Sequence, residues 1–486
     1  MKTIASASLP ESIQQPRYDR SALKTRIVHF GFGAFHRAHQ ALLTDRVLNA
    51  LGGDWGICEI SLFSGDKLMS ALRAQDHLYT VLEKGRDGNQ AIIVGAVNEC
   101  LNAKLDGMEA IIEKFCEPQV AIVSLTVTEK GYCIDPATGK LDTANARIIH
   151  DLQNPAEPHS APGILVEALN RRRERGLLPF TVLSCDNIPD NGHVVRNAII
   201  GMAEKRSQEL ADWIREKVTF PSTMVDRIVP AATPESLQEI TDTLGVEDPC
   251  AISAEPFIQW VIEDNFVAGR PQWEVAGVEM VDDVMPWEQM KLRMLNGSHS
   301  FLAYLGYLAG YQHINDCMAD ENFYRAAHQL MMQEQAPTLC VKGVDLRQYA
   351  HNLLERFSNP ALQHRTWQIA MDGSQKLPQR MLESIRWHLQ QEDEWPCLAL
   401  GIAAWMRYVS GVDDAGNAID IRDPLAQKIK DLVEKSSNEE RVSALLSLTE
   451  IFGSDLPGNE IFVRHVSAAW DELHNKGAKQ AVANLL

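Results

Sequence analysis

The sequence predicts an α/β protein in which a domain with a largely parallel sheet is followed by an all-α C-terminal domain. Buried-strand patterns alternate with helical patterns up to about residue 280, as is typical of parallel sheets. Beyond Pro286 the strands give way to long apolar runs at helical spacing. The 486 residues are too many for one ordinary core, so we expect domains over 1–284 and 285–486.

The first predicted strand, Arg26–Phe30, leads into a glycine motif and then a helix that begins at Ala38. In this setting a G-x-G motif binds a dinucleotide, because Gly31 permits a tight turn and Gly33 lets backbone amides approach the pyrophosphate. A third glycine is missing, so an ordinary strand-to-helix turn is the alternative. The motif predicts a Rossmann-like domain, with cofactor contacts from Gly31, Gly33, Phe35, His36 and Arg37.

The second predicted strand, Trp55–Leu62, is followed by Asp66. A carboxylate here accepts hydrogen bonds from a free ribose 2′-hydroxyl and repels a 2′-phosphate. Asp66 lies somewhat beyond the usual offset, and its alternative role is to cap the helix that starts at Lys67. We therefore expect NAD, with NADP as the less favoured cofactor.

Polar side chains follow several later strands, at the end of a sheet where α/β proteins place ligands. Because they follow such a strand, Thr126 and Thr128 are predicted to belong to the cofactor site. The amide of Asn187 suits a donor that polarises a carbonyl, although its neighbours also suit a plain turn. These strands are predicted at Gln119–Leu125, Pro179–Ser184 and Thr223–Val229, and further strands are predicted at Leu78–Leu82 and Ala91–Val97.

The stretch Lys291–His299, KLRMLNGSH, places polar groups in an otherwise apolar run. On a continuous helix Lys291, Asn296 and His299 would span roughly 140° and could border one cleft. A lysine among apolar neighbours loses hydration, which lowers its pKa and suits it to act as a general base. The alternative is an amphipathic helix with a solvated lysine, an asparagine near a helix end and a core histidine.

A second basic cluster includes Arg365 and Lys376, beside Trp367. Cations around an aromatic suit a polyhydroxylated, anionic substrate, whereas the alternative is a solvated loop before a helix. We expect no metal, because His36 and His39 have no partner at a recognised ligand spacing.

Composition narrows the classes of partner. The net charge is 46 minus 65, or −19, which disfavours nucleic acid and anionic membranes. No apolar run reaches the length of a membrane span, and the N-terminus makes a poor signal peptide. Nine singly placed cysteines indicate reduced thiols. We expect a cytoplasmic monomer or small homo-oligomer that acts on a small molecule.

The motifs GFGAFHRAHQA, VSLTVTEKGY, SCDN, MVDRIVP and KLRMLNGSHS resemble those of the long-chain mannitol and polyol dehydrogenases, over nearly the whole chain. The resemblance implies a zinc-independent, NAD(P)-linked reaction. NAD-specific members show two adjacent acidic residues after the second strand, where this chain has Gly65 and Asp66. The stretches EPFIQWVIEDNF and HRTWQIAMDGSQKLPQR are most similar to the fructuronate reductase branch.

The same resemblance assigns roles to individual residues. It implies that Lys291 is the catalytic acid and base, that Asn187 and Asn296 stabilise the oxyanion, and that His299 contacts the substrate. Further matches are Glu288, as a relay of the proton toward solvent, and Asp226 and Lys376, near the substrate.

Our hypothesis from the sequence is an oxidoreductase that interconverts D-fructuronate and D-mannonate, or a similar keto-hexuronate and aldonate. Arg365 and Lys376 are the expected partners of the carboxylate. A dehydrogenase for mannitol or another polyol is the nearest alternative, and an NAD-binding sensor without catalysis is an alternative of another class.

Overall fold

The computed structural model describes residues 2–136 and 138–486, which divide into two compact units between Met285 and Pro286. This boundary lies one residue beyond the predicted division at 284 and 285. Each unit has apolar clusters of its own, and none of the described clusters draws buried residues from both units. Each unit therefore has its own core.

The first unit contains all of the described strands. They are β1 (Lys24–Phe30), β2 (Trp55–Ser61), β3 (Tyr79–Gly85), β4 (Gly88–Val94), β5 (Val97–Asn102), β6 (Ile122–Leu125), β7 (Ile134–Asp135), β8 (Lys140–Leu141), β9 (Thr181–Ser184), β10 (Thr223–Asp226), β11 (Ile252–Ala254), β12 (Gln259–Glu263) and β13 (Glu279–Val281).

The main sheet of the described residues has five strands in the order β5-β2-β1-β6-β9, and every neighbouring pair is parallel. Strands of this sheet are buried on both faces, as a sheet covered by helices on both sides requires. The residues of β6 and β9 are buried throughout. The prediction of a Rossmann-like parallel sheet is thus confirmed.

The predicted strand Ala91–Val97 is wrong in one respect, because the chain changes sheets within it. β4 pairs antiparallel with β3 and ends at Val94, whereas β5 begins at Val97 and pairs parallel with β2. Gly95 lies at the crossing, where an added Cβ would meet Pro16 at 2.6 Å. Glycine adds no polar side chain to the run, so the apolar pattern of the sequence continues across the break between the two strands.

Two smaller sheets mix strand directions, which the alternating pattern did not predict. β3 lies between antiparallel β4 and parallel β11. β12 pairs antiparallel with β10 and parallel with β13. The strands β11 to β13 have three to five residues, too short for a periodic signal.

Helices cover the sheets of the first unit. They are α1 (Ala34–Ala38), α2 (Gln40–Leu51), α3 (Asp66–Ala74), α4 (Ala103–Asp106), α5 (Met108–Phe115), α6 (Thr128–Gly131), α7 (Ala146–Gln153), α8 (Ala161–Glu174), α9 (Asn191–Arg206), α10 (Gln208–Lys217) and α11 (Pro234–Leu244). The helix predicted from Ala38 is interrupted at His39, whose φ of −123° and ψ of −95° are not helical.

The second unit is helical in its described residues, apart from isolated bridges such as His313 with Arg365. Its α-helices are α12 (Met285–Met290, which begins at the boundary), α13 (Gly297–Leu308), α14 (Ile314–Ala319), α15 (Glu321–Gln329), α16 (Leu346–Phe357), α17 (Thr366–Ala370), α18 (Gly373–Leu377), α19 (Glu383–Gln391), α20 (Pro396–Val409), α21 (Ala426–Lys435), α22 (Arg441–Leu446), α23 (Thr449–Phe452) and α24 (Glu460–Ala483).

Three π-helical segments interrupt these helices within the described residues. π-Helical turns are rare in proteins, and those that do occur often lie at functional sites. One of them contains Lys291, so the continuous α-helix assumed for Lys291–His299 is wrong. The segments are Lys291–Asn296, Leu330–Gln335 and Pro378–Leu382.

Among the described residues, no helix has both the length and the apolar character required to cross a membrane.

Candidate functional site

In the first unit, the loops after β1 and β6 lie side by side at the carboxyl edge of the main sheet. The chain leaves β1 toward β2 on one side, while β6 lies on the other, so this is the topological switch point where such sheets bind ligands. Gly31 has a φ of +99°, and a Cβ there would lie 2.5 Å from the Thr126 carbonyl oxygen. Only glycine allows this contact between the loops.

Gly33 differs from Gly31, since its φ of −80° is ordinary and an added Cβ would meet nothing within 4 Å. Gly33 is exposed and the space above it is therefore open, so a ligand can come close to the backbone there. Phe35, two residues on, stacks on His39 with ring centroids 4.7 Å apart. Close approach to the backbone at this glycine is what binding of a dinucleotide phosphate requires.

Buried polar groups support the glycine loop from below. His29 contacts the Gly31 carbonyl at 3.1 Å and Thr126 Oγ1 at 2.9 Å through Nε2. Its ring stacks on that of His36 at 3.4 Å, and His36 Nε2 lies 2.5 Å from a Glu59 carboxylate oxygen. Burial raises the pKa of Glu59 to about 8 and lowers that of His36 to about 3, so the pair is uncharged at neutral pH.

His29, His36 and Glu59 are also the candidate metal-ligand group among the described residues. Because the two imidazoles are stacked within 8° of parallel, their in-plane lone pairs run side by side and do not converge on one ion. The group therefore fits a hydrogen-bonded support of the loop better than a metal site.

The predicted cofactor residues Arg37 and Asp66 lie in unlike settings. Arg37 is buried, and its Nη1 donates to the Cys250 carbonyl at 2.6 Å. Asp66 is partly exposed at the start of α3, where Lys104 Nζ lies 3.3 Å away. Hydrogen bonds, from its own backbone and from Lys104, lower the pKa of Asp66, so it is a carboxylate at neutral pH.

Asp186 is a buried residue of this edge for which the sequence predicted no role. Its carboxylate accepts from the amides of Val127 at 3.1 Å and Thr128 at 2.9 Å, and from the Tyr132 hydroxyl. It thereby holds Thr128 in a left-handed conformation with a φ of +65°. Asn187, the next residue, is exposed, and Asp226 is buried at the end of β10. In the sequence, the aspartate of the SCDN motif was the feature that could have indicated this role of Asp186.

In the second unit, Lys291 begins the π-helical turn that joins α12 to α13. It is 6% exposed, and Glu288 lies half-buried three residues before it. The wider turn displaces Lys291 and Asn296 from the α-helical spacing assumed for them. His299 follows in the first turn of α13, and 11 of the 12 residues of that helix are buried.

His299 lies in a buried and electropositive environment. Its ring stacks on Phe357 at 4.9 Å and meets the edge of His364 at 4.8 Å, while Nε2 is buried without a partner among the described residues. Burial holds the pKa of His299 well below its usual range, and His364, Arg380, Arg356 and Lys376 lower it further. His299 is therefore neutral, and one of its ring nitrogens has no hydrogen-bond partner among the described residues.

Two of the cations near His299 are themselves poorly solvated. Burial, with the nearby Arg380, lowers the pKa of Lys376 to about 8, and burial lowers that of Arg380 to about 10. Lys376 Nζ donates to the Ile369 carbonyl at 3.1 Å. Neither side chain forms an ion pair with an acid in the described part of the chain. Such cations favour an anionic ligand.

No hydrogen bond or ion pair in the described residues joins Arg365 to Lys376, Arg380 or His299. Its side chain is exposed and lines a separate surface cavity of about 770 Å³ with Tyr307, Tyr311 and Trp367. His364, the preceding residue, is the one that contacts His299. The sequence pattern predicted a basic cluster near residue 365. It did not show that His364 faces His299 while Arg365 is exposed.

Comparison with known proteins identifies the family. The model for the mannitol dehydrogenase Rossmann domain matches residues 25–275, and that for the mannitol dehydrogenase C-terminal domain matches residues 283–474. The chain belongs to the mannitol dehydrogenase family. It is an oxidoreductase of that family, and the predicted order of a parallel-sheet domain and a helical domain is confirmed.

Several relatives in the mannitol dehydrogenase family are similar over their full length. The chain is 76% identical to the uncharacterized oxidoreductase YeiQ and 57% identical to D-mannonate oxidoreductase, both of Escherichia coli (strain K12), with all of each chain covered. The Pseudomonas fluorescens mannitol 2-dehydrogenase, solved with NAD and D-mannitol, is 38% identical with a TM-score of 0.83, covering 98% of this chain and 97% of that one.

Proposed function

We propose that this protein is an NAD-dependent oxidoreductase that interconverts a keto-hexuronate and an aldonate of the D-fructuronate and D-mannonate type. The observation that carries the proposal is the pair of half-buried cations near His299, Lys376 and Arg380, which form no ion pair with an acid of the described chain. A neutral polyol gives such cations no counter-charge, whereas a sugar acid supplies one carboxylate. The likeness to D-mannonate oxidoreductase points to the same substrate class.

Lys291 is the proposed general acid and base. In the oxidative direction its neutral amine takes the proton of the substrate hydroxyl, and in the reductive direction its ammonium returns that proton to the carbonyl oxygen. The amides of Asn187 and Asn296 donate hydrogen bonds to the same oxygen and stabilise its developing charge. Glu288 passes the proton between Lys291 and solvent.

Several further side chains orient the substrate in this proposal. Asp226 and neutral His299 accept or donate hydrogen bonds to its hydroxyl groups, and Lys376 binds its carboxylate. Arg365, exposed and without contact to His299 among the described residues, is not assigned to the carboxylate.

The proposed cofactor is NAD, which supplies the hydride acceptor when bound. Gly31, Gly33, Phe35, His36 and Arg37 form or support its phosphate loop, and Thr126 and Thr128 border it. Asp66 accepts hydrogen bonds from the ribose. The relative solved with NAD supports this choice, as does the switch-point position of the loop. Nine unpaired cysteines, eight of them buried, support a reducing compartment such as the cytoplasm.

The test compares two ketoses that differ only at C6. D-Fructuronate carries a carboxylate there and D-fructose a hydroxymethyl group, so their ratio measures recognition of the carboxylate. With NADH and purified protein, we expect kcat/KM for D-fructuronate to exceed that for D-fructose by at least about 100-fold, since a buried charged site rejects a ligand that leaves it unpaired.

D-Tagaturonate and D-mannonate complete the panel. Activity with D-tagaturonate alone would keep the sugar-acid class and change the stereochemistry, whereas oxidation of D-mannonate by NAD would support the reverse reaction. Activity with D-fructose but not the uronates would contradict the proposal and favour a polyol dehydrogenase. NAD binding without turnover of any of these would favour a sensor.

A further inference from the structure

The guanidinium of Arg380 is held in place by two hydrogen bonds. Its Nη1 donates to Ser300 Oγ at 3.0 Å and to the Asn296 carbonyl at 3.4 Å. Both acceptors belong to the segment that carries Lys291 and His299. These contacts fix one edge of the guanidinium against the catalytic segment.

The opposite edge of the guanidinium is left available. Within the described residues, Arg380 Nε and Nη2 donate no hydrogen bond, and neither is among the buried polar atoms that lack a partner. This edge has the two parallel N–H groups that bind a carboxylate in a bidentate manner. Lys376, four residues earlier, offers a second cation that also lacks an ion pair there.

Gln335 fixes the backbone from which Arg380 projects. Its fully buried side-chain amide donates from Nε2 to the Arg380 carbonyl at 2.9 Å and accepts from Ser384 Oγ at 2.5 Å. Because a carbonyl can only accept, the orientation of the amide is determined. Gln335 thus joins the π-helical segments Leu330–Gln335 and Pro378–Leu382.

Gly297 shows how closely these segments approach the catalytic motif. Its backbone is ordinary helix, with φ −62°, so the turn itself does not require glycine. A Cβ at this position would instead lie 2.8 Å from both the Arg380 carbonyl oxygen and Gln335 Nε2. The glycine of the N-G-S-H motif is therefore explained by the hydrogen bond that passes over it.

We propose that Arg380 is the specificity-determining residue that binds the carboxylate of the substrate through its Nε and Nη2 edge, and that Gln335 is the residue that positions it. The identity of the anion as a sugar acid rests on the proposed function. Arg380 would then distinguish acid from polyol, while Lys291 performs the same proton transfer for either.

The test measures binding, so that it does not depend on turnover. D-Mannonate and D-mannitol differ by a carboxylate and a hydroxymethyl group at one end of the chain, and each can be titrated calorimetrically into the protein saturated with NADH. We expect Arg380→Met to weaken D-mannonate binding by at least about 30-fold, the effect of losing one partner of a buried charge pair. The affinity for D-mannitol should change less than threefold.

Arg380→Lys is the second variant, in case the methionine protein does not fold. It keeps the charge and loses the bidentate edge, so we expect about tenfold weaker D-mannonate binding. Equal effects on both ligands, or no effect on D-mannonate, would overturn the assignment of Arg380. If the wild type binds D-mannonate but does not oxidise it with NAD, the proposed function fails and the assignment stands.

Gln335→Met tests the positioning role, with Gln329→Met as the matched control. Gln329 lies on α15, and its amide donates to the Leu485 carbonyl at 3.5 Å and not to the Arg380 backbone. We expect Gln335→Met to weaken D-mannonate binding about tenfold with D-mannitol unchanged, as misplacement of a binding group predicts, and Gln329→Met to resemble wild type.

Gln335→Glu separates a positioning role from a purely structural one, because only a positioning role predicts that D-mannonate affinity depends on pH in this variant. Protonated glutamic acid can donate to the Arg380 carbonyl, but the carboxylate cannot. D-Mannonate affinity relative to wild type should therefore recover as the pH falls in this variant and not in Gln335→Met. A loss that is independent of pH and equal for both ligands would contradict the positioning role.

Discussion

At the scale of single residues, Lys376 links the proposed substrate to pH. Its pKa is lowered to about 8, chiefly by burial and then by Arg380, from an ordinary value of 10.5. The side chain is therefore charged at pH 7 and loses its charge as the pH rises through 8. We expect KM for D-fructuronate to rise about tenfold between pH 7 and pH 9 and to fall again on return to pH 7.

Two variants separate Lys376 from other titrating groups in the same kinetic assay. Lys376→Arg keeps its charge throughout this range, so its KM should stay nearly constant with pH. Lys342→Met removes an exposed lysine and should leave the wild-type profile unchanged. A rise in KM that persists in Lys376→Arg would assign the titration to another group.

Lys291 should control kcat rather than substrate binding. Lys291→Met keeps the length of the side chain and removes the proton acceptor, so we expect kcat to fall by about 10²–10⁴-fold, the usual contribution of general acid–base catalysis. The dissociation constant of NADH, followed by its fluorescence, should change less than threefold. A kcat within a few-fold of wild type at every pH would exclude Lys291 as the base.

At the scale of elements, the two glycines of the cofactor loop make opposite predictions. Gly31→Ala places a methyl group against the Thr126 carbonyl at a φ of +99°, so it should destabilise the protein by about 1–3 kcal/mol. Gly33→Ala meets no atom within 4 Å and should unfold like wild type. If a pyrophosphate approaches Gly33, the alanine there should still raise KM for NAD about tenfold or more.

Thermal unfolding and NAD kinetics on the same two preparations check this pair. Gly31→Ala should lower Tm, whereas Gly33→Ala should keep Tm and lose affinity for the cofactor. If Gly33→Ala bound NAD as well as wild type does, the phosphate would not lie above that glycine.

Much of this loop could be predicted because glycine, strand and helix signals are local. The strand before Gly31 and the polar residues after β6 and β9 follow from short patterns, and the sheet places them at one edge. The change of sheet at Gly95 could not be predicted, since the apolar pattern continues across it. Whether Gly31 or Gly33 has a positive φ also depends on the neighbouring loop at Thr126.

In the helical unit, only some of the residues of the candidate site could be predicted from the sequence. Lys291, Asn296 and His299 stood out because they are polar in an apolar run. Arg380 and Gln335 did not, because arginine and glutamine are common on exposed helix faces. Both residues lie in π-helical turns, which shift the face of a helix without changing the apolar pattern of the sequence.

At the scale of the whole molecule, the net charge of −19 opposes an anionic substrate, so the cations near His299 must act locally. Salt screens exposed charges over about 8–10 Å, and buried pairs much less. Recognition by half-buried Lys376 and Arg380 is therefore compatible with a strongly acidic protein. The same charge distribution agrees with the absence of a basic tract for nucleic acid in the sequence.

Separate cores in the two units predict separate responses to ligands. NAD is proposed to bind the loop of the first unit, and the carboxylate to bind cations of the second. In scanning calorimetry we expect two transitions, and NAD at 100 times its Kd should stabilise the first unit by about 2.7 kcal/mol, raising that transition by roughly 5–10 °C. D-Mannonate alone should raise the other transition, and Arg380→Met should abolish that rise while leaving the response to NAD. A single transition that either ligand raises equally would show that the units unfold as one, and the two cores would then not be independent in stability.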